Sequence, residues 1–101
     1  MIAAAMVRHE VRVAMQAHGR VCAAEMLHAD DVTPAVWRLI AEECDSLGSK
    51  RGNYRAVTLR GACLLMARGD ADAAVEGFVA ACGCTPEEWE SETRREMAVR
   101  S

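Results

Sequence analysis

The side chains in this chain that can do chemistry are five cysteines, three histidines and fifteen carboxylates. Cys82-Gly83-Cys84 sets two thiols two residues apart, and a pair of thiolates can ligate zinc or cycle as a redox couple. The spacing is not that of a C-x-x-C motif, no second Cys/His pair lies close by, and His9, His18 and His28 are dispersed along the N-terminal segments. A helix-ending Gly83 between two part-buried thiols explains the same residues, so neither metal nor cofactor is expected. Cys22, Cys44 and Cys63 lie in or beside apolar patterns, where a free thiol behaves as a small hydrophobe, and an odd total fits a reduced cytoplasmic chain. Glu42-Glu43 and Glu87-Glu88 are sequential neighbours that splay apart on a helix. There is no phosphate-cradling Gly-rich loop, H-E-x-x-H or nucleophile elbow. Catalysis is not expected, which leaves binding.

The cations suggest where binding occurs. The formal charge is −3, but residues 46–68 hold Lys50, Arg51, Arg55, Arg60 and Arg68 with no acid, whereas residues 69–101 hold eight acids against Arg94, Arg95 and Arg100. A basic segment followed by an acidic tail predicts different partners for different faces. No apolar run approaches the roughly 18 to 20 residues that cross a bilayer, and Met1–Met6 is too short for a signal-peptide core. The expected setting is the cytoplasm, with no membrane partner.

Helical elements must position these groups. About half of the residues are apolar but only 4% are aromatic, which favours closely packed, Ala-rich helices. Val7, Val11, Ala14, Met15 and His18 recur at helical spacing and predict a first helix up to Gly19. Val21, Ala24 and Leu27 predict a short second one. Thr33-Pro34 is a start signal, because the Thr hydroxyl caps exposed amides and Pro lacks the amide that would be orphaned. The third helix then runs to Gly48, with Val36, Leu39, Ile40, Cys44 and Leu47 facing the core and Trp37, Arg38, Ala41, Glu42 and Asp45 facing outward. Rotating it by one residue would put Trp37 inside. Ser49-Lys50-Arg51-Gly52-Asn53 is a turn, and Tyr54–Leu59 alternates like a strand, so residues 49–59 predict a basic hairpin. Helical composition returns from Gly61 to Arg68 and from Asp72 to Ala81. Thr85-Pro86-Glu87-Glu88 is a capping box that opens a thin last helix carrying Trp89, Thr93 and Met97.

The order of short helix, capped helix and basic hairpin resembles the winged helix-turn-helix family of DNA-binding domains over about His9 to Leu59. The resemblance rests on Gly19–Leu27, Thr33–Ile40 and Lys50–Arg55. It implies a mainly α fold, with a winged helix-turn-helix core at 1–69 bearing a small β wing, and a C-terminal helical extension at 70–101 packed on that core or on a second copy. It also implies a homodimeric regulator of transcriptional or mobile-element type acting on double-stranded DNA. The helix at 33–47 would enter the major groove with Thr33, Ala35, Trp37 and Arg38 at the base edges. Lys50, Arg51 and Arg55 would neutralise phosphates, and Asn53 and Tyr54 would bond phosphate or sugar. Glu42, Glu43 and Asp45 must then point away from the backbone.

The alternative is a small adaptor or inhibitor that binds a protein partner through the acidic C-terminal helices, with Phe78, Trp89 and Met97 as the apolar anchors of a partner or dimer interface.

Overall fold

In the computed structural model, residues 2–28, 31–47 and 56–100 are described, and they form six helices. These are α1 (Ala3–Ala17), α2 (Val21–Met26), α3 (Pro34–Cys44), α4 (Ala56–Ala67), α5 (Ala71–Cys82) and α6 (Pro86–Arg100). Local signals set most of the boundaries. Thr33 accepts the Val36 amide on its hydroxyl at 3.3 Å, with Pro34 first in the helix. Asp70 accepts the Ala73 amide and starts α5, and Gly83, at a left-handed φ of 74°, ends it. At α6 the capping box closes in both directions. The Thr85 hydroxyl takes the Glu88 amide at 3.1 Å, and the Glu88 carboxylate takes the Thr85 amide at 2.9 Å.

α1 is the hub, packing against α2, α4, α5 and α6. It buries Met6, Val7, Val11, Ala14 and Met15 at helical spacing. α4 and α5, joined by the short Arg68-Gly69-Asp70 turn, pack as a helical hairpin, and α3 packs along α4. One continuous core takes Leu59, Ala62 and Cys63 from α4, Ala74, Val75 and Phe78 from α5, and Trp89 from α6. The radius of gyration, 12.2 Å, is close to the roughly 13 Å of a folded 100-residue domain. α6 therefore lies against the body.

Two expectations are corrected. No strand is present among the described residues, and the part of the expected β wing that they include, Ala56–Leu59, is helical. Ala56–Leu59, read as strand, forms the first turn of α4. Its alternation covered only a few residues, whereas Leu59, Ala62 and Cys63 recur at three and four residues and are all buried. The remainder of the proposed wing, including Lys50, Arg51, Asn53, Tyr54 and Arg55, lies outside the described residues. The second correction is the rotation of α3. Its buried stripe is Trp37, Ile40, Ala41 and Cys44, with Trp37 3% exposed, while Leu39 stands 52% exposed. Both stripes share Ile40 and Cys44, and burial of the larger indole decides between them.

Candidate functional site

The exposed face of α3 carries Ala35, Arg38, Leu39, Glu42 and Glu43, with Thr33 just before it. Of the base-reading residues, Thr33, Ala35 and Arg38 are on the surface as expected. Trp37 is in the core and cannot reach a groove. The acids at the end of α3 meet cations from the neighbouring helices. Arg60 of α4 lies 3.2 Å from Asp45, and Arg20, just before α2, lies 3.8 Å from Glu43. Arg20 also donates to the Ser46 hydroxyl at 2.6 Å. The basic and acidic blocks of the sequence are thus partly interleaved in space, and Arg60 is not part of an unopposed basic strip.

Between α2 and α3 runs a groove of about 470 Å3 lined by Arg20, Cys22, Ala23, Met26, Leu39, Ile40, Glu42, Glu43 and Ser46. Ala23 and Ile40 are buried and form its floor. Met26, 45% exposed, and Leu39 stand half in water. The short α2 exposes Met26 because its buried positions are Ala23 and Ala24, residues too small to hold the helix deep in the core.

A second concavity lies on another face. Ala5, Arg8, His9 and Arg12 fall at i, i+3, i+4 and i+7 of α1 and make one wall, and Leu27, His28 and Met97 complete a cavity of about 190 Å3. His9 is only 3% exposed. Its Nε2 lies 3.4 Å from the Glu96 carboxylate, and its Nδ1 lies 3.3 Å from an Arg12 guanidinium nitrogen. A guanidinium can only donate, so Nδ1 carries the lone pair and Nε2 the proton, which it donates to Glu96. Sequence reading left the histidines unconnected. Folding brings His9 and His28 to one cavity, and the signal available beforehand was the Ala5/Arg8/His9/Arg12 spacing.

The proposed partner anchors have other duties. Phe78 is fully buried, and its ring centroid lies 5.0 Å from that of Trp89, itself in the core, so the pair fastens α6 to α5 inside one copy. Of the three, only Met97 reaches a surface, on the wall of the α1 cavity. Trp89 therefore cannot anchor a partner on the acidic tail.

The cysteines divide by depth. Cys22 is exposed at the groove, Cys44 and Cys63 are buried, and Cys82 and Cys84 are half-buried. A hydrogen bond with Cys44 and burial push the Cys63 thiol up. Burial and the neighbouring Cys82 raise Cys84 as well. Among the described residues, no group of three His, Cys, Asp or Glu side chains is placed to hold a metal ion. No described helix is long and apolar enough to cross a membrane. No protein-family model matches the chain, and neither a curated protein nor a solved structure matches it significantly.

Proposed function

We propose that this chain is a helical binding module that receives an apolar, cation-flanked helix of a partner protein in the groove between α2 and α3. The reading is carried by the exposure of Met26 of α2 and Leu39 of α3, which line one cleft. Exposed apolar surface forgoes about 25 cal/mol per Å2, and such side chains over an apolar floor match the anchors of an amphipathic helix laid in a groove. Charge selects the partner's flanks. Among the described lining residues, Glu42 and Glu43 outnumber the one cation Arg20, which is already held by Glu43 and Ser46. An incoming Lys or Arg meets opposite charge there, and an acidic helix does not.

The test uses two amphipathic helical peptides, one built from Leu and Lys and the other from Leu and Glu, titrated into the folded chain while methyl resonances of Met26 and Leu39 are followed. The Leu–Lys peptide shifts them saturably, the Leu–Glu peptide binds at least tenfold more weakly, and Leu39→Asp abolishes the response. Equal binding of the two peptides, or saturable shifts elsewhere only, would overturn the reading.

Duplex DNA is the second reading, and one observation favours it: Thr33, Ala35 and Arg38 are exposed together on the first turns of α3. The exposed Glu42, Glu43 and Asp45 repel phosphate from the later turns. Anisotropy of a labelled duplex at low salt separates the two. Binding lost in Arg38→Ala and kept in Leu39→Asp selects DNA, and no binding rejects it.

A further inference from the structure

We infer that the cavity between α1, the end of α2 and α6 is a binding site for a small phosphate-class oxyanion, held by Arg8, Arg12 and His28. The inference is independent of the α2–α3 groove and does not require it to be occupied. Four of the seven lining residues are Arg8, His9, Arg12 and His28, a concentration of cationic and cationisable groups in a chain whose formal charge is −3. Arg8 and Arg12 sit one turn apart on α1 and both line this cavity, so one rigid helix presents the two side chains on the same wall.

The site is built, and is more than a coincidence of surface charge. His9 is almost wholly buried and stands between Glu96 and Arg12 as a relay of two long hydrogen bonds. The carboxylate accepts a hydrogen bond from the protonated Nε2, and the unprotonated Nδ1 accepts from Arg12. That contact restrains the Arg12 fork at the cavity wall and reduces the rotamer freedom it would otherwise lose on binding. His9 is therefore a positioning residue, whereas Arg8, Arg12 and His28 would contact the ligand. A planar fork with several N–H donors matches the oxygens of phosphate, which can take bidentate contacts from each arginine. At about 190 Å3 the cavity greatly exceeds the roughly 10 to 15 Å3 that admits one water. Leu27, Ala5 and Met97 give it an apolar side, which suits a phosphomonoester carrying a small organic group as well as the free ion.

The experiment titrates inorganic phosphate and phenyl phosphate in parallel into the full chain at constant ionic strength balanced with chloride, following the Arg side-chain Nε–H and His28 ring resonances. The expected result is saturable shifts confined to the cavity residues. Arg12→Gln should weaken binding by on the order of tenfold or more, the effect of removing a charge-assisted hydrogen bond. Arg12→Lys, which keeps the charge and loses the fork, should be intermediate. His28 is exposed, so His28→Gln leaves the fold intact and should also weaken binding, which keeps the test valid if Arg12→Gln unfolds. The tighter ligand identifies the source, the free ion or the ester. Shifts that follow ionic strength alone, saturation equally well by chloride, or binding indifferent to both Arg12→Gln and His28→Gln would overturn the proposal.

Discussion

Replacing Gly61 or Gly77 by Ala should stabilise the protein, and the size of the effect follows from the structure. Both lie inside helices, in α4 and α5, and a Cβ built on either meets no atom within 4 Å. The added methyl therefore clashes with nothing, and the gain is the helix-propensity difference, about 0.8 to 1.0 kcal/mol per interior site. Much of it arises from the lower entropy of the unfolded chain. The pair should contribute roughly 1.5 to 2 kcal/mol. At about 4 to 8 °C per kcal/mol for a domain of this size, the melting temperature should rise by roughly 10 °C. Both glycines line one cleft of about 260 Å3 with Val57, Leu65 and Ala74, so the double variant also tests additivity. Gly69 is the control. A Cβ there also meets nothing, but its φ of 78° is left-handed, so Gly69→Ala should lose about 1 to 2 kcal/mol. Thermal melts and urea titrations followed by far-UV circular dichroism compare the four variants with the parent chain, with the urea slope unchanged if only stability moves. Gly61→Ala and Gly77→Ala that are neutral or destabilising, or Gly69→Ala that stabilises as they do, would refute the reasoning.

Trp89→Ala should lose about 3 to 5 kcal/mol, because the indole packs on Phe78 and is 5% exposed; a urea titration showing a loss near zero would mean that α6 is not fastened by this pair. Thr93→Val should gain about 1 kcal/mol, since the hydroxyl is buried without a hydrogen-bond partner; a clear loss in the same titration would show that the hydroxyl is satisfied. Hydrogen bonds from the Thr85 amide and hydroxyl hold the Glu88 carboxyl below the usual range. A carboxylate with a lowered pKa stabilises the fold above its unfolded-state value and loses that contribution as pH falls through the folded-state value, hence around and below the ordinary glutamate range of about 4.3. The stability difference between the parent chain and Glu88→Gln should be greatest at neutral pH and shrink through that acid range, and a difference that does not change with pH would contradict the capping role.

Caps and helix stops were legible because their physics is local. The Thr33 and Thr85 hydroxyls bond amides three residues on, and such spacing can be recognised without knowing the fold. Ala56–Leu59 was misread because a short apolar run satisfies strand and helix alike, and only its continuation to Ala67 and its packing between α3 and α5 decide. The charge blocks misled for a similar reason. Arg60 and Asp45 fall in separate segments of the sequence and meet across α3 and α4. His9 and His28 come together only after the chain turns between α1 and α2, which periodicity within one helix does not reveal.

The rotation of α3 links the misreading to the candidate site. Residues two apart on a helix with 3.6 residues per turn lie about 200° apart, so Trp37 and Leu39 cannot both face one core. The competition is between an indole and an isobutyl group, and the larger apolar area wins the interior. Leu39 is turned outward by the same rotation, beside Met26, over a floor of Ala23 and Ile40. The exposed wall of the groove is thus a geometric consequence of burying Trp37. A Trp37→Leu variant removes most of the reason for that rotation. If the helix then turns to bury Leu39, the Met26–Leu39 cleft should close, and binding of the Leu–Lys peptide should fall although neither wall residue has been changed.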